Sequence, residues 1–219
     1  MLCDRSQYGD GCAVNEQARR GDTYGGQSRE ERAAQRRSRI VDSAVELFAA
    51  REYEEITVAE VCTRAKVSKR YFYEHFADRA DLLLTVHREQ NEWLLAGIAA
   101  ATPKQPRDLE EQLRPMMGAL VRMLFEHPDR ARVIYVNAPR MELRRREVLR
   151  RDAEVFGRLI RRAVGRQRDK LRYERLLLAL VAGVSEVVID WLHRGMTDSP
   201  DKLVDHLTDL SLSLLSALE

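Results

Sequence analysis

With 219 residues, 44% of them hydrophobic, the chain is long enough to bury one small and one medium core without disulfide or metal staples. Its 37 Lys and Arg nearly balance 35 Asp and Glu, leaving a formal net charge of +2, so the totals announce no nucleic-acid partner and any basic surface must be local. Cys3, Cys12 and Cys62 are odd in number and lack metal-ligand spacing, and no apolar leader-like run stands near the N-terminus; this points to a reducing cytoplasm and away from a disulfide-built or metal-centred protein.

Residues 1–28 carry Gly9, Gly11, Gly21, Gly25 and Gly26 with almost no apolar periodicity, which predicts a disordered tail whose Arg19 and Arg20 suit a flexible basic arm. From Arg29 onward apolar residues recur three or four apart and alternating β-branched runs are absent, so the fold class is all-α. Ile40, Val41, Ala44, Leu47 and Phe48 share one face of a first helix, with Arg32, Arg36 and Arg39 opposite. A second helix starts after Thr57, an N-cap with Glu60 as its capping-box partner and Ile56 stapled to Val61. A third starts after Ser68, with Val67 placed to staple Phe72, so Ala65 to Val67 forms a turn. The unit 29–78 therefore has helix-turn-helix spacing, in which the second helix of the pair offers its N-terminal residues to the major groove. Phe72 and Phe76 face inward, leaving Lys69, Arg70, Tyr71, Tyr73 and His75 outside. Arg70 suits a bidentate contact to guanine, while Lys69, Tyr73, His75 and Arg79 suit phosphates. A helical hairpin with a merely basic polar face is the alternative.

Residues 79–219 read as a helical regulatory and dimerising domain. One long helix begins near Asp78 and another near Asp108, separated by Thr102–Pro106, with further breaks at His127–Pro128 and Ala138–Pro139. Pro115 and Gly118 interrupt the helix after Asp108 and predict a kink that opens space. Met116, Met117, Leu120, Met123, Leu124, Tyr135 and Phe156 are candidates to line an apolar effector pocket, and equally suit a plain core. Arg140 to Arg175 is rich in arginine, including Arg144–Arg146, Arg150–Arg151 and Arg161–Arg162. That run reads as a site for an anionic effector, as a second patch near DNA, or as a solvated face paired at four-residue spacing, Arg150 with Glu154. Glu186 and Asp190 interrupt the apolar stretch from Leu176 to Leu192, so no membrane span is read. Ser199 and Pro200 open a final helix to Leu218. Leu180, Val184, Val187, Val188 and Trp191, with Leu207, Leu210 and Leu214, exceed what one core of this size needs and are candidates for a homodimer interface; burial within one subunit is the alternative.

The run from Ile56 to Leu83, above all Tyr73-x-His75-Phe76 followed by Arg79 and Leu82, resembles the signature of the TetR family of transcriptional regulators, and the resemblance covers roughly residues 30–85. It implies that Thr57 caps its helix beside a phosphate, that Tyr73, His75 and Arg79 touch the DNA backbone, and that Ser68 to Tyr71 set sequence preference. It also implies a double-stranded palindromic operator, repression relieved by a small-molecule effector, and dimerisation through the last two helices as a four-helix bundle. Three positions depart from the family pattern: Lys66 stands for a usual turn glycine and so predicts a non-Gly residue at positive φ, Tyr71 stands for a commoner threonine, and Glu52 for a glycine. No cofactor is expected. An enzyme lacks its signs here, for there is no nucleophile motif, Gly-rich phosphate loop or paired metal ligands, and His75, His87, His127, His193 and His206 are scattered. A helical protein-binding adaptor shares the composition but needs no Lys69, Arg70, Tyr73 and His75 on one exposed face.

Overall fold

Short polar side chains write the helix starts of this protein. The computed structural model describes residues 28–137, 142–165 and 167–218. In these, α1 (Arg29–Ala50), α2 (Val58–Ala65), α3 (Lys69–Tyr73), α4 (Arg79–Ala101), α5 (Leu109–Glu126), α6 (Pro128–Arg132), α7 (Glu142–Val164), α8 (Lys170–His193) and α9 (Pro200–Leu215) follow one another with no strand among the described residues. Short 3₁₀ turns occupy Tyr53–Glu55 and Ser216–Leu218, and α6 runs on as a π-helical turn, Val133–Asn137. Ser28, Thr57, Ser68, Asp78, Asp108, Asp169 and Ser199 each accept a backbone N–H at the start of a helix, which satisfies donors that the helix itself cannot. Ser28 with Glu31 and Thr57 with Glu60 close full capping boxes. The starts expected at Asp78, Asp108 and Ser199 are therefore where the side chains put them.

Pro115 does not interrupt its helix. It lies inside a continuous α5, and a Cβ on Gly118 would meet the Arg122 guanidinium at 3.9 Å, so the two residues do not divide the helix. An interior proline removes one backbone bond and crowds the carbonyl four residues earlier, and α5 packs against α4, α7 and α9. The expected 1–28 tail, apart from Ser28, and the Ala138–Pro139 break lie outside the described residues.

Two apolar cores result. The smaller gathers Ile40, Ala44, Phe48, Ile56, Val61, Phe72 and Phe76 with Leu82, Leu83 and Val86 from the start of α4, and with Val133. The larger packs α5 against the far half of α4 and against α7 and α9, with α8 laid on α7 and α9, through residues such as Leu94, Leu113, Leu120, Ile160, Leu180 and Leu207. Gly157 allows α7 and α8 to lie close, for a Cβ there would stand 2.5 Å from Leu177 Cδ1. Adjacent residues Val133 and Ile134 are buried in different cores, so the π-helical turn is a peg shared by both.

Candidate nucleic-acid interface

The small core holds α2 and α3 rigidly against α1. Ion pairs Arg51–Glu60 at 2.7 Å and Arg64–Glu46 at 2.6 Å tie α2 to α1 and its C-cap. The Arg51 guanidinium, and after it the Thr57 N–H and hydroxyl, hold the Glu60 carboxyl down at about 2. Between the two helices Lys66 adopts φ 53°, ψ 47°, the left-handed conformation expected of a turn glycine, and its N–H closes α2 on the Cys62 and Thr63 carbonyls. Burial pushes the Cys62 thiol above its ordinary range.

On α3, Ser68 Oγ accepts the Tyr71 N–H at 3.4 Å, and Phe72 and Phe76 are buried with ring centroids 5.6 Å apart. That inward pair turns Lys69, Arg70, Tyr71 and Tyr73 to solvent, Tyr73 with 57% of its surface open. Exposed phenols are unusual where an aromatic side chain could be buried, and they stand beside the exposed cations of Lys69 and Arg70. Arg70 rests 3.4 Å from Glu74 in a surface pair weak enough for a phosphate to displace. Thr57 is exposed at the α2 cap, its hydroxyl shared with Glu60. His75 is half-buried, with Nε2 closed off from solvent and without a hydrogen-bond partner among the described residues.

Arg79 is placed differently from the expected phosphate clamp. Its guanidinium donates to the Glu54 carbonyl at 3.3 Å and to the Ile56 carbonyl, and lies 4.1 Å over the Tyr53 ring. It braces the start of α4 against the loop that precedes α2. One residue at this edge carried no expectation of its own: Arg36 of α1 sits 4.3 Å over the Tyr71 ring and adds a cation beside α3. Helical periodicity put Arg36 on the polar face of α1 but could not say what that face meets.

In the larger domain the expected pocket residues are mostly core. Met116, Met117, Leu120, Leu124 and Phe156 are buried in one continuous cluster, with Met123 and Tyr135 half-buried against it. Met123 occupies the place of the side chain that Gly97 lacks, since a Cβ on Gly97 would fall 2.1 Å from the Met123 sulfur. None of the seven lines the cleft that opens between α4 and α7, about 270 Å³ in volume. That cleft is polar: Thr85, His87, Arg88 and Asn91 face Glu147, Arg151 and Asp152. Asn91 donates to Asp152 at 2.8 Å. Burial raises the Asp152 carboxyl to about 6, against the pull of Asn91 and Arg151. Burial lowers His87 to about 4, opposed by its hydrogen bond to the Ile134 carbonyl. The Tyr135 hydroxyl is pushed up by burial and by the Asp152 charge.

The expected dimer residues divide. Leu180, Val184, Val188, Trp191 and Leu207 are spent inside their own subunit, at 1%, 7%, 0%, 2% and 0% exposure. Val187, Leu210 and Leu214 stay half-buried on the outer side of α8 and α9, beside Gly183, whose Cβ position lies 3.7 Å from Leu210. By length and composition α8 is apolar enough to cross a bilayer, with a mean hydropathy of 1.8 over its most apolar window; 28% of that window is buried here.

A capped helix-turn-helix on a larger helical body is the build of a DNA-binding transcriptional regulator. Residues 40–86 match the family model of bacterial regulatory proteins of the tetR family. The HTH-type transcriptional regulator TcmR of Streptomyces glaucescens is 29% identical over 204 residues, 87% of this chain and 84% of that protein. The HTH-type transcriptional activator FasR of Mycolicibacterium smegmatis is 26% identical over 175 residues, 78% of each chain. Among solved structures, the fatty acid degradation regulator FadR of Bacillus halodurans superposes with a TM-score of 0.68 at 21% identity, covering 80% of this chain and 94% of that one. FadR of Bacillus subtilis, solved in complex with stearoyl-CoA, gives 0.64 at 19% identity, covering 83% and 99%. Residues 40–86 thus carry a helix-turn-helix domain of the tetR type, and the chain is similar over most of its length to HTH-type transcriptional regulators.

Proposed function

We propose that this regulator acts in the cytoplasm as a homodimeric repressor that leaves a palindromic operator when a small-molecule effector binds its larger domain. The observation that carries the reading is the row Lys69, Arg70, Tyr71 and Tyr73, exposed on a helix whose other face is locked by Phe72 and Phe76. Cations and hydroxyl donors on a rigid edge meet phosphates and base edges without a large ordering cost. Ser68 to Tyr71 read sequence, while Tyr73 and Thr57 face the backbone and the half-buried His75 lies behind them. Arg79 keeps the edge in place through its brace on Glu54 and Ile56. Val187, Leu210 and Leu214 pair with their copies, which removes from water an apolar face that one subunit leaves half-covered.

Two elements join effector to operator. The cleft lies along the first turns of α4, the helix that continues from the recognition edge, and the Val133–Ile134 peg is buried in both cores. A ligand that favours one spacing of α4 and α7 shifts the population with correctly set recognition helices, and a coupling of about 1–3 kcal/mol is usual. FadR of Bacillus subtilis, similar in fold, is solved in complex with stearoyl-CoA, which supports an effector in the larger domain. The test is fluorescence anisotropy of the chain with the palindrome upstream of its own coding sequence. A folded, dimeric Lys69→Ala, Arg70→Ala, Tyr73→Phe variant is expected to bind at least tenfold more weakly than the parent, and equal affinity overturns the proposal.

A further inference from the structure

Between Arg158 and Arg175 stand eight Lys and Arg against two Asp and Glu. The four-residue pairing expected to neutralise this face is largely missing. Arg150 and Glu154 form no ion pair among the described residues, and within 158–175 only Lys170 does, with Glu174 at 3.5 Å. Arg162 and Arg172 donate to the carbonyls of Lys104 and Ala217, leaving Arg158, Arg161, Arg168 and Arg175 exposed without an ion-pair partner among the described residues. Tyr173 Oη donates to the Gly157 carbonyl at 3.1 Å, so the end of α7 and the start of α8 lie side by side and their cations form one patch. At the start of α8 the Asp169 cap is outnumbered by Lys170, Arg172 and Arg175, and the first turn itself holds no acidic residue. Like charges three apart and cations at a helix N-terminus both cost stability, so this end of the molecule is built to meet an anion.

The patch is also at the wrong end to serve the operator. Arg162 reaches Lys104, just beyond the C-terminus of α4, whereas the recognition edge precedes its N-terminus; 23 helical residues, about 33 Å, separate them. We propose that this pole binds the phosphodiester backbone of a second DNA duplex, without sequence preference, so that the regulator can bridge two segments. Arginine dominates the patch, and its planar fork matches phosphate oxygens. Leu171, 55% exposed, is the one large apolar side chain open within it among the described residues, too little to anchor in a lipid surface.

The experiment follows binding of the full chain to a fluorescein-labelled random-sequence duplex of about 24 bp as salt rises from about 50 to 200 mM. Lys69→Ala, Arg70→Ala, Tyr73→Phe serves as the background that silences the recognition edge. Binding that persists there and falls at least tenfold on adding Arg158→Glu, Arg161→Glu and Arg175→Glu supports the second site. The log–log salt dependence should become shallower by about 3, as three phosphate contacts are lost. Glutamine at the same three positions, with folding checked by circular dichroism, must change binding in the same direction. The pole substitutions alone should leave upstream-palindrome affinity within about twofold, which separates this proposal from the operator reading. No residual binding in the background, or residual binding that the pole substitutions do not change, overturns it. So does capture of phosphatidylglycerol vesicles in place of the duplex.

Discussion

Asp152→Asn should make the protein more stable at pH 8, although it removes a charge that already has a hydrogen-bond donor. The carboxyl is raised from an ordinary 3.8 to about 6 because burial penalises its ionised form more than Asn91 and Arg151 reward it. A carboxyl raised on folding ionises first in the unfolded chain, so its cost begins above about pH 4 and is complete above about pH 6. From 3.8 to about 6 the full penalty is about 3 kcal/mol, and the openness of the cleft reduces the expected gain to about 1–3 kcal/mol at pH 8. Asparagine keeps an oxygen for the Asn91 amide. His87, in the same cleft, works in the opposite sense. Lowered from 6.5 to about 4, it supports the fold above pH 6.5 and withdraws that support as pH falls to about 4. In the parent the two partly cancel across this window, with Asp81, Arg88 and Glu92 of α4 and Glu147 and Arg151 of α7 as the other charged groups around them. Urea unfolding followed by circular dichroism should show the Asp152→Asn advantage at pH 8 shrinking to below about 1 kcal/mol near pH 4. The variant should also lose stability more steeply than the parent between pH 6.5 and 4. An advantage that is absent at pH 8, or that does not shrink with acid, refutes the burial argument.

Thr57→Ala removes the capping box of α2 and should cost about 1 kcal/mol in chemical denaturation, a loss that Thr57→Ser largely restores. Lys66→Gly relieves the left-handed backbone at the turn and should raise stability by up to about 1 kcal/mol in the same assay, whereas Lys66→Val at φ 53° should lower it. Leu214→Arg, on the outer side of α9, should give a folded monomer by sedimentation velocity; a persistent dimer would place the interface elsewhere.

The smaller domain was legible in the sequence because its determinants are local. Thr57, Ser68, Asp78 and Asp108 are caps that act within three residues of themselves, and Lys66 sits at a turn whose geometry two capped helices dictate. The spacing of Phe72 and Phe76 alone decides which side of α3 is wet. In the larger domain long helices offer apolar residues on more than one face, and periodicity cannot tell which face meets which neighbour. Met116 and Trp191 therefore suit a pocket or an interface as well as a core on sequence alone, and both are interior. Arg79 suits a phosphate by its place in the sequence, which gives no sign of its bonds to carbonyls more than twenty positions earlier.

The amino-acid order by itself determined the all-helical class, the starts of α1 to α5 and α9, the glycine-like turn at Lys66 and the exposed cationic, phenolic edge, since each depends on interactions within about one helical turn. Only the tertiary structure decided that Asp152 and Asn91 meet in a polar cleft, that Val133 and Ile134 serve separate cores, and that the arginines at the end of α7 and the start of α8 form one pole. Those pairings join residues distant in sequence, and the packing of whole helices, which no short window encodes, selects among them.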